Sequence, residues 1–195
     1  MSRLYRYTQL GRLFPWEERP PLEWIRQRDI FEFARHPSPR KIFCSLVLWI
    51  CSVELFAFAA VLVNVARVRQ AFLDLKKPEW IVPGWFLIGI YAVVNALLAI
   101  SAWLIYLDGP WMKHLARMVP FCGVLVIEGL WPDLFFDWKA YLAVFVLTIV
   151  AIALAAICLV LFWRVIPLSG ALLVPYIGWL SYLSALGREV GRLNS

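Results

Sequence analysis

Charged side chains are scarce in this sequence of 195 residues: only 16% are Asp, Glu, Lys or Arg, whereas 63% are hydrophobic. The mean hydropathy is correspondingly high, at +0.74. A soluble domain of this length does not bury so much apolar surface, because too little of its volume lies away from water. The composition therefore excludes an ordinary soluble domain and indicates a protein that crosses a lipid bilayer several times.

The sequence also lacks the residue patterns of common catalytic sites. It contains no HExxH motif, no glycine-rich phosphate loop and no recognisable nucleophile–base pair. Its two histidines, His36 and His114, are far apart in the chain and flank apolar runs. We therefore expect a protein without enzymatic activity.

Cysteine is rare as well, and none of it forms a CxxC or Cys/His pattern. The cysteines, all within apolar runs, are Cys44, Cys51, Cys122 and Cys158. This arrangement argues against a metal site and against a disulfide framework. We expect small buried hydrophobic side chains at these positions.

Basic residues are unevenly distributed: residues 1–41 hold nine of the nineteen Lys and Arg. Because acidic residues interrupt this segment, contact with anionic headgroups explains it better than nucleic-acid binding. The segment has no apolar core of a secretory signal, although its acid-free beginning weakly resembles a mitochondrial presequence. Apolar residues at helical spacing over 22–33 predict a helix on the membrane surface.

Five apolar runs are each long enough to cross a hydrocarbon layer of about 30 Å. They cover residues 43–66, 81–106, 117–136, 140–163 and 165–186. The chain thus divides into an extension (1–41), a transmembrane domain (42–187) and a polar tail (188–195). An odd number of crossings places the two ends on opposite sides, and the basic extension favours an N-terminus inside.

A charged, proline-containing stretch, LKKPEWIVPGW, joins the first two runs. Each proline disfavours helix at the residue before it, so the chain turns here at the membrane surface. Tryptophan side chains suit the headgroup layer on either side of such a turn. The residues of this first-loop motif are Leu75, Lys77, Pro78, Trp80, Pro83 and Trp85.

Polar side chains occur at about the same depth in the first three runs. They are Glu54, Asn95 and Glu128, and no Lys or Arg lies at that depth within a run. An unpaired charge there costs several kcal/mol, so we expect the carboxyl groups to be neutral. Two interpretations stay open: a site responsive to protons, cations or a ligand, or hydrogen bonds that only hold the helices together.

Several short motifs resemble the TspO/MBR family of tryptophan-rich sensory proteins and mitochondrial translocator proteins. They are the first-loop motif, the AWLIY of 102–106, the WxxLFF of 131–136, the LFWR of 161–164, the ALLxPYxxW of 171–179 and the RLN of 192–194. The resemblance covers residues 43–195. It implies an all-α, integral-membrane bundle of five transmembrane helices, here preceded by an N-terminal surface segment.

The resemblance also implies an apolar pocket between the helices. Its expected lining residues are Tyr91, Glu128, Trp131, Phe135 and Trp179. In the family such a pocket binds haem, other porphyrins or sterols. Here Tyr91 replaces a family tryptophan and Glu128 replaces a family asparagine, so the same ligand does not follow. The aromatic set, to which Trp85 and Trp103 also belong, fits either a π-lined cavity or ordinary packing.

Three functional hypotheses result. The first is non-enzymatic binding of a hydrophobic small molecule, a tetrapyrrole or a sterol-like lipid. The second is an accessory subunit of a larger membrane complex, respiratory or photosynthetic, whose other subunits contact the N-terminal extension; a homodimer is a related alternative. The third is proton-coupled transport through Glu54 and Glu128. A mitochondrial membrane is favoured over a bacterial envelope membrane.

Overall fold

The computed structural model describes residues 39–63, 65–109 and 111–194, and all regular structure within them is helical. The helices are α1 (Pro39–Val63), α2 (Val65–Asp74), α3 (Gly84–Leu107), α4 (Trp111–Pro132), α5 (Tyr141–Trp163), α6 (Pro167–Ala171) and α7 (Leu173–Asn194). The surface helix expected over 22–33 lies outside the described residues, as does most of the extension 1–41.

Five helical segments of the described chain are long and apolar enough to cross a membrane. They are Pro39–Ala59, Gly84–Leu107, His114–Asp137, Tyr141–Trp163 and Pro167–Asn194. Large apolar side chains cover their outer faces; Leu48, Val93 and Leu142 are each more than half exposed. The expected all-α bundle of five transmembrane helices is therefore confirmed.

The five long helices form a closed ring in the order α1, α3, α7, α5, α4. Each packs against its two neighbours in this order, and the α5–α7 pair makes the most extensive contact. Consecutive helices in the chain are thus not always neighbours in the ring. The short helix α6 packs against α5 and α3.

The α3–α6 contact is fixed by two serines that bond each other's backbone. The Ser101 hydroxyl donates to the Ser169 carbonyl, and the Ser169 hydroxyl donates to the Ser101 carbonyl, both at 2.7 Å. Next to them, Gly170 lies so close to α5 that an added Cβ would stand 2.7 Å from Trp163 Cβ. Only glycine fits here without moving one of the helices.

The first loop runs from Leu75 to Pro83. It contains a turn in which the Ile81 N–H donates to the Pro78 carbonyl at 3.1 Å. Pro83 precedes the first residue of α3 in an extended conformation (ψ 142°), and its carbonyl accepts from the N–H groups of Phe86 and Leu87. The helix therefore starts at Gly84, three residues after the start expected from hydropathy.

The end of α4 differs from the helix break that the WPDLFF sequence suggested. The chain continues from Pro132 as a single π turn, Asp133–Asp137. Pro132 has no N–H to donate, which loosens the helix at this point. A wider turn brings Phe135 and Phe136 to the same side as Trp131, and such turns are frequent at functional sites.

The residues treated as a polar tail continue helix α7 to Asn194. Val190 is fully buried, and its neighbours in a small apolar cluster include Phe135, Val144 and Leu186. This one-sided burial explains why the polar sequence GREVGRLN stays helical, since an apolar stripe faces the bundle.

The burial expected for the cysteines is wrong for most of them. Cys44, Cys51 and Cys122 are exposed on the outside of the helices, and only Cys158 is buried. An apolar environment in a membrane protein includes lipid, so a cysteine in an apolar run need not face the protein interior.

Candidate functional site

A cavity of about 440 Å³ lies inside the helix ring, toward the first loop. Its wall is almost entirely apolar, with contributions from α1, α2, α3, α4, α5 and α7. All the side chains expected to line the pocket do line it: Tyr91, Glu128, Trp131, Phe135 and Trp179. The structure thus brings together residues that are up to 88 positions apart in the sequence.

Two stacked aromatic pairs lie at the cavity, and three of their four residues, Trp131, Phe135 and Trp179, line its wall. The Trp131 and Phe135 rings are nearly parallel, with centroids 4.6 Å apart. The Trp179 and Tyr182 rings are also stacked, at 5.3 Å. A flat apolar molecule can extend either stack, because offset stacking favours parallel ring planes.

A third aromatic contact lies between α1 and α3. The rings of Phe58 and Tyr91 meet edge to face at 5.2 Å, and both residues line the cavity. By contrast, Trp103 donates its indole N–H to Ser45 at 3.0 Å, and Trp85 is 76% exposed. Neither Trp103 nor Trp85 lines the cavity, so these two members of the aromatic set serve packing and the membrane interface.

Glu128 is the acidic residue in the cavity wall, and it is only 4% exposed. Its Oε1 accepts a hydrogen bond of 2.6 Å from the hydroxyl of Tyr176, which is fully buried on α7. Its Oε2 is buried and has no hydrogen-bond partner among the described residues. The carboxyl group is therefore anchored through Oε1, whereas Oε2 stays without a described partner.

The other members of the polar layer lie outside the cavity wall. Asn95 is fully buried, and its side-chain amide has no partner in the described structure. The Tyr91 hydroxyl approaches Asn95 without forming a well-aligned hydrogen bond. Glu54 has one buried oxygen without a partner among the described residues and lies close enough to Glu128 to interact electrostatically.

Further polar atoms near the cavity are hydrogen-bond donors. The indole N–H groups of Trp131 and Trp179 and the hydroxyl of Tyr182 are buried without a partner in the part of the chain that the structure describes. Thr148, another wall residue, uses its hydroxyl within its own helix, bonding the Val144 carbonyl at 2.7 Å. The cavity thus combines a large apolar surface with a few polar atoms, which is the usual composition of a small-molecule site.

The cavity is partly open where α2 and the beginning of α3 form its wall. Val65, Arg69 and Ile88 line it there and are exposed at the protein surface. Of the first-loop motif, Leu75 lines the cavity, as do the neighbouring Ile81 and Gly84.

The rest of the first-loop motif lies outside the cavity wall. Within the loop Pro78 is buried, and the Trp80 ring contacts the Tyr182 ring edge to face at 5.7 Å. The ammonium of Lys77 lies 4.3 Å from the centre of the Phe72 ring. These contacts hold the loop against the bundle next to the opening.

Sequence reasoning missed three residues that shape the site: Tyr176, Tyr182 and Phe58. A signal for Tyr176 was present, because Tyr176, Trp179, Leu180 and Leu183 follow helical spacing and share one face. No comparable signal marked Phe58, since α1 is apolar on all sides.

Comparisons with known proteins agree with this architecture. A model of the TspO/MBR family matches residues 47–192. The protein CrtK of Rhodobacter capsulatus is 33% identical over 125 residues, which are 62% of this chain and 76% of CrtK. The translocator protein of Sus scrofa is 28% identical over 63% of this chain and 74% of its own length. The tryptophan-rich protein TspO of Archaeoglobus fulgidus is 27% identical over 77% of this chain and 97% of its own length.

Proposed function

The chain belongs to the TspO/MBR family of membrane proteins, and we propose that it binds a hydrophobic ligand, a tetrapyrrole or a sterol-like lipid, in the aromatic cavity. In this proposal the protein binds the molecule and carries out no reaction on it.

The observation that carries the proposal is the cavity itself. Its volume of about 440 Å³ falls within the range of about 300–1,000 Å³ that is usual for small-molecule sites. Nearly all of its surface is apolar, so a ligand that is poorly soluble in water gains free energy by entering it. A water-soluble ligand would lose its hydration without comparable compensation.

The aromatic stacks support a flat ligand in particular. Trp131, Phe135 and Trp179 line the cavity, and each belongs to a stacked pair, Trp131 with Phe135 and Trp179 with Tyr182. Their unpartnered indole N–H groups suit acceptor groups on the ligand edge. Tetrapyrroles and fused-ring lipids combine a broad apolar face with a few polar groups at the rim.

The wall residue Trp179 provides the first test. Replacing it by alanine removes one stacking face, so we expect protoporphyrin to bind about tenfold or more weakly, as is typical for a tryptophan anchor. Binding is measured in lipid nanodiscs by the absorbance change of the porphyrin, because quenching of tryptophan fluorescence loses a reporter in the variant. A sterol competitor shows whether both ligand classes share the site.

The matched control is Trp85→Ala. Trp85 is 76% exposed and does not line the cavity, so this variant should bind like the unmodified protein. Equal losses in both variants would indicate binding at the protein–lipid surface. The absence of saturable binding of either porphyrin or sterol to the unmodified protein would contradict the proposed function.

The two other hypotheses remain predictions. A role as a complex subunit depends on the extension 1–41, of which only the last residues are described. Proton-coupled transport depends on Glu54 and Glu128 acting together, and of these two only Glu128 lines the cavity.

A further inference from the structure

We propose that Glu128 makes the cavity selective for a flat apolar ligand that carries a basic nitrogen, such as an amine, opposite the Oε2 atom of this carboxyl group. The inference rests on the proposed function, since it concerns the same cavity, and it specifies the chemical class of the ligand.

The first argument is the geometry of the carboxyl group. Glu128 is almost fully buried, and its Oε1 is occupied by the Tyr176 hydroxyl at 2.6 Å. Oε2 has no hydrogen-bond partner among the described residues, although the residue lines the cavity. Leaving a buried polar atom without a partner costs about 1–3 kcal/mol. A ligand group that bonds Oε2 recovers this free energy.

The second argument is the sign of the surrounding charge. Glu54 is near enough to interact with Glu128, so two carboxyl groups occupy this region of the bundle. The ion pairs found in the described residues involve neither of them. Arg69 also lines the cavity but is exposed at its opening on α2. Glu128 in the cavity wall and Glu54 outside it therefore have no described basic group to pair with.

The chemistry of binding is a proton transfer. In the empty cavity the carboxyl group is neutral, because an unpaired charge at this depth is costly. When an amine reaches Oε2, the carboxyl O–H bond breaks and an N–H bond forms on the amine. The product is an ammonium–carboxylate pair joined by a hydrogen bond, which is stronger than a neutral one. Tyr176 keeps its hydrogen bond to Oε1 and stabilises the negative charge.

The same arrangement disfavours other ligands with the same ring system. A neutral ligand gains the apolar contacts but leaves Oε2 unpaired. A ligand carboxylate at that position loses its hydration and meets no described basic group that could pair with it, so its burial is costly. The expected order of affinity is amine, then neutral molecule, then carboxylate.

Three anthracene derivatives test this order: 9-(aminomethyl)anthracene, 9-methylanthracene and anthracene-9-carboxylate. They share one flat ring system and differ at a single substituent. The protein is placed in nanodiscs of zwitterionic phosphatidylcholine, and binding is followed by energy transfer from tryptophan to anthracene. We expect the amine to bind at least about tenfold more tightly than the methyl compound, as for a close buried charge pair.

Two variants identify which carboxyl group causes the preference for the amine over the methyl compound. In Glu128→Gln the ratio of amine to methyl affinity should fall to about one, because the amide keeps the shape but cannot accept or release the charge-forming proton. In Glu54→Gln the ratio should fall less, because Glu54 does not line the cavity. A larger effect at Glu54 than at Glu128 would overturn the assignment of Glu128 as the selective residue.

The outcomes separate this inference from the proposed function. Saturable binding of all three probes with equal affinity contradicts the inference and leaves the proposed function standing. The absence of saturable binding of any of the three probes also contradicts the inference, whereas the proposed function is contradicted only if porphyrin and sterol fail to bind as well. The ranking in the unmodified protein is decisive even if Glu128→Gln does not fold.

Discussion

At the scale of single residues, the Glu128–Tyr176 hydrogen bond is the central polar contact of the bundle. It joins α4 to α7, and the two partners are 48 positions apart in the sequence. Both side chains are buried, so water does not replace the bond when it is lost. The pair therefore supports the bundle and fixes the position of the Glu128 carboxyl group.

Tyr176→Phe should destabilise the protein by about 1–2 kcal/mol, because it leaves Glu128 Oε1 without this donor. Unfolding in mild detergent, followed by tryptophan fluorescence, measures the change. Tyr182→Phe is the matched control, since its hydroxyl has no hydrogen-bond partner among the described residues. If the free energy of unfolding falls equally in both variants, the loss is not due to the Tyr176–Glu128 hydrogen bond.

At the scale of elements, the end of α7 holds the first loop in place. The Lys76 N–H donates to Asn194 Oδ1 at 3.1 Å, and Asn194 Nδ2 donates to the Lys76 carbonyl at 2.9 Å. Nδ2 also bonds the Val190 carbonyl within α7. A single amide thus connects two segments that are far apart in the sequence, next to the opening of the cavity.

Asn194→Ala removes this connection, and we expect the opening free energy of the first loop to fall by about 1 kcal/mol. Hydrogen exchange of the backbone amides over 76–81, measured by mass spectrometry, should become faster. In Gln70→Ala the exchange of this loop should stay unchanged, because the side chain of Gln70 bonds only Asp74 within α2 among the described residues. Unchanged exchange in Asn194→Ala would show that other contacts hold the loop.

At the scale of the whole molecule, five crossings determine which turns share a side of the membrane. The first loop and the end of α7 lie on one side, as their hydrogen bonds require. The turn between the π turn and α5 is on that same side, whereas Arg164 is at the opposite end of α5. The closed ring then places the cavity in the half of the bilayer next to the first loop.

Labelling with a membrane-impermeant maleimide tests this topology. In a background without the native cysteines, Glu79→Cys and Lys139→Cys should react from one side of sealed vesicles, and Arg164→Cys from the other. All three positions are exposed. The distribution of basic residues predicts that Arg164 faces the inside. Reaction of Glu79→Cys and Arg164→Cys from the same side would contradict five crossings.

The sequence by itself determined the five membrane crossings, the family and the side chains expected around the cavity. Hydrophobic length is a local property of each segment, so it needs no knowledge of the neighbours. The short aromatic motifs are local as well, and they pointed to Trp131, Phe135 and Trp179 before any contact was known.

Only the tertiary structure decided which of these side chains face each other. A shift of one residue turns a side chain by about 100° around its helix, so apolar helices do not reveal their inner face. Packing of the ring directed Glu128 to Tyr176, turned Trp85 and Trp103 away from the cavity and left three cysteines on the outer surface. These features depend on contacts between segments that are distant in the sequence. Hydropathy does not reveal them, because an apolar side chain in a bilayer can face either lipid or another helix.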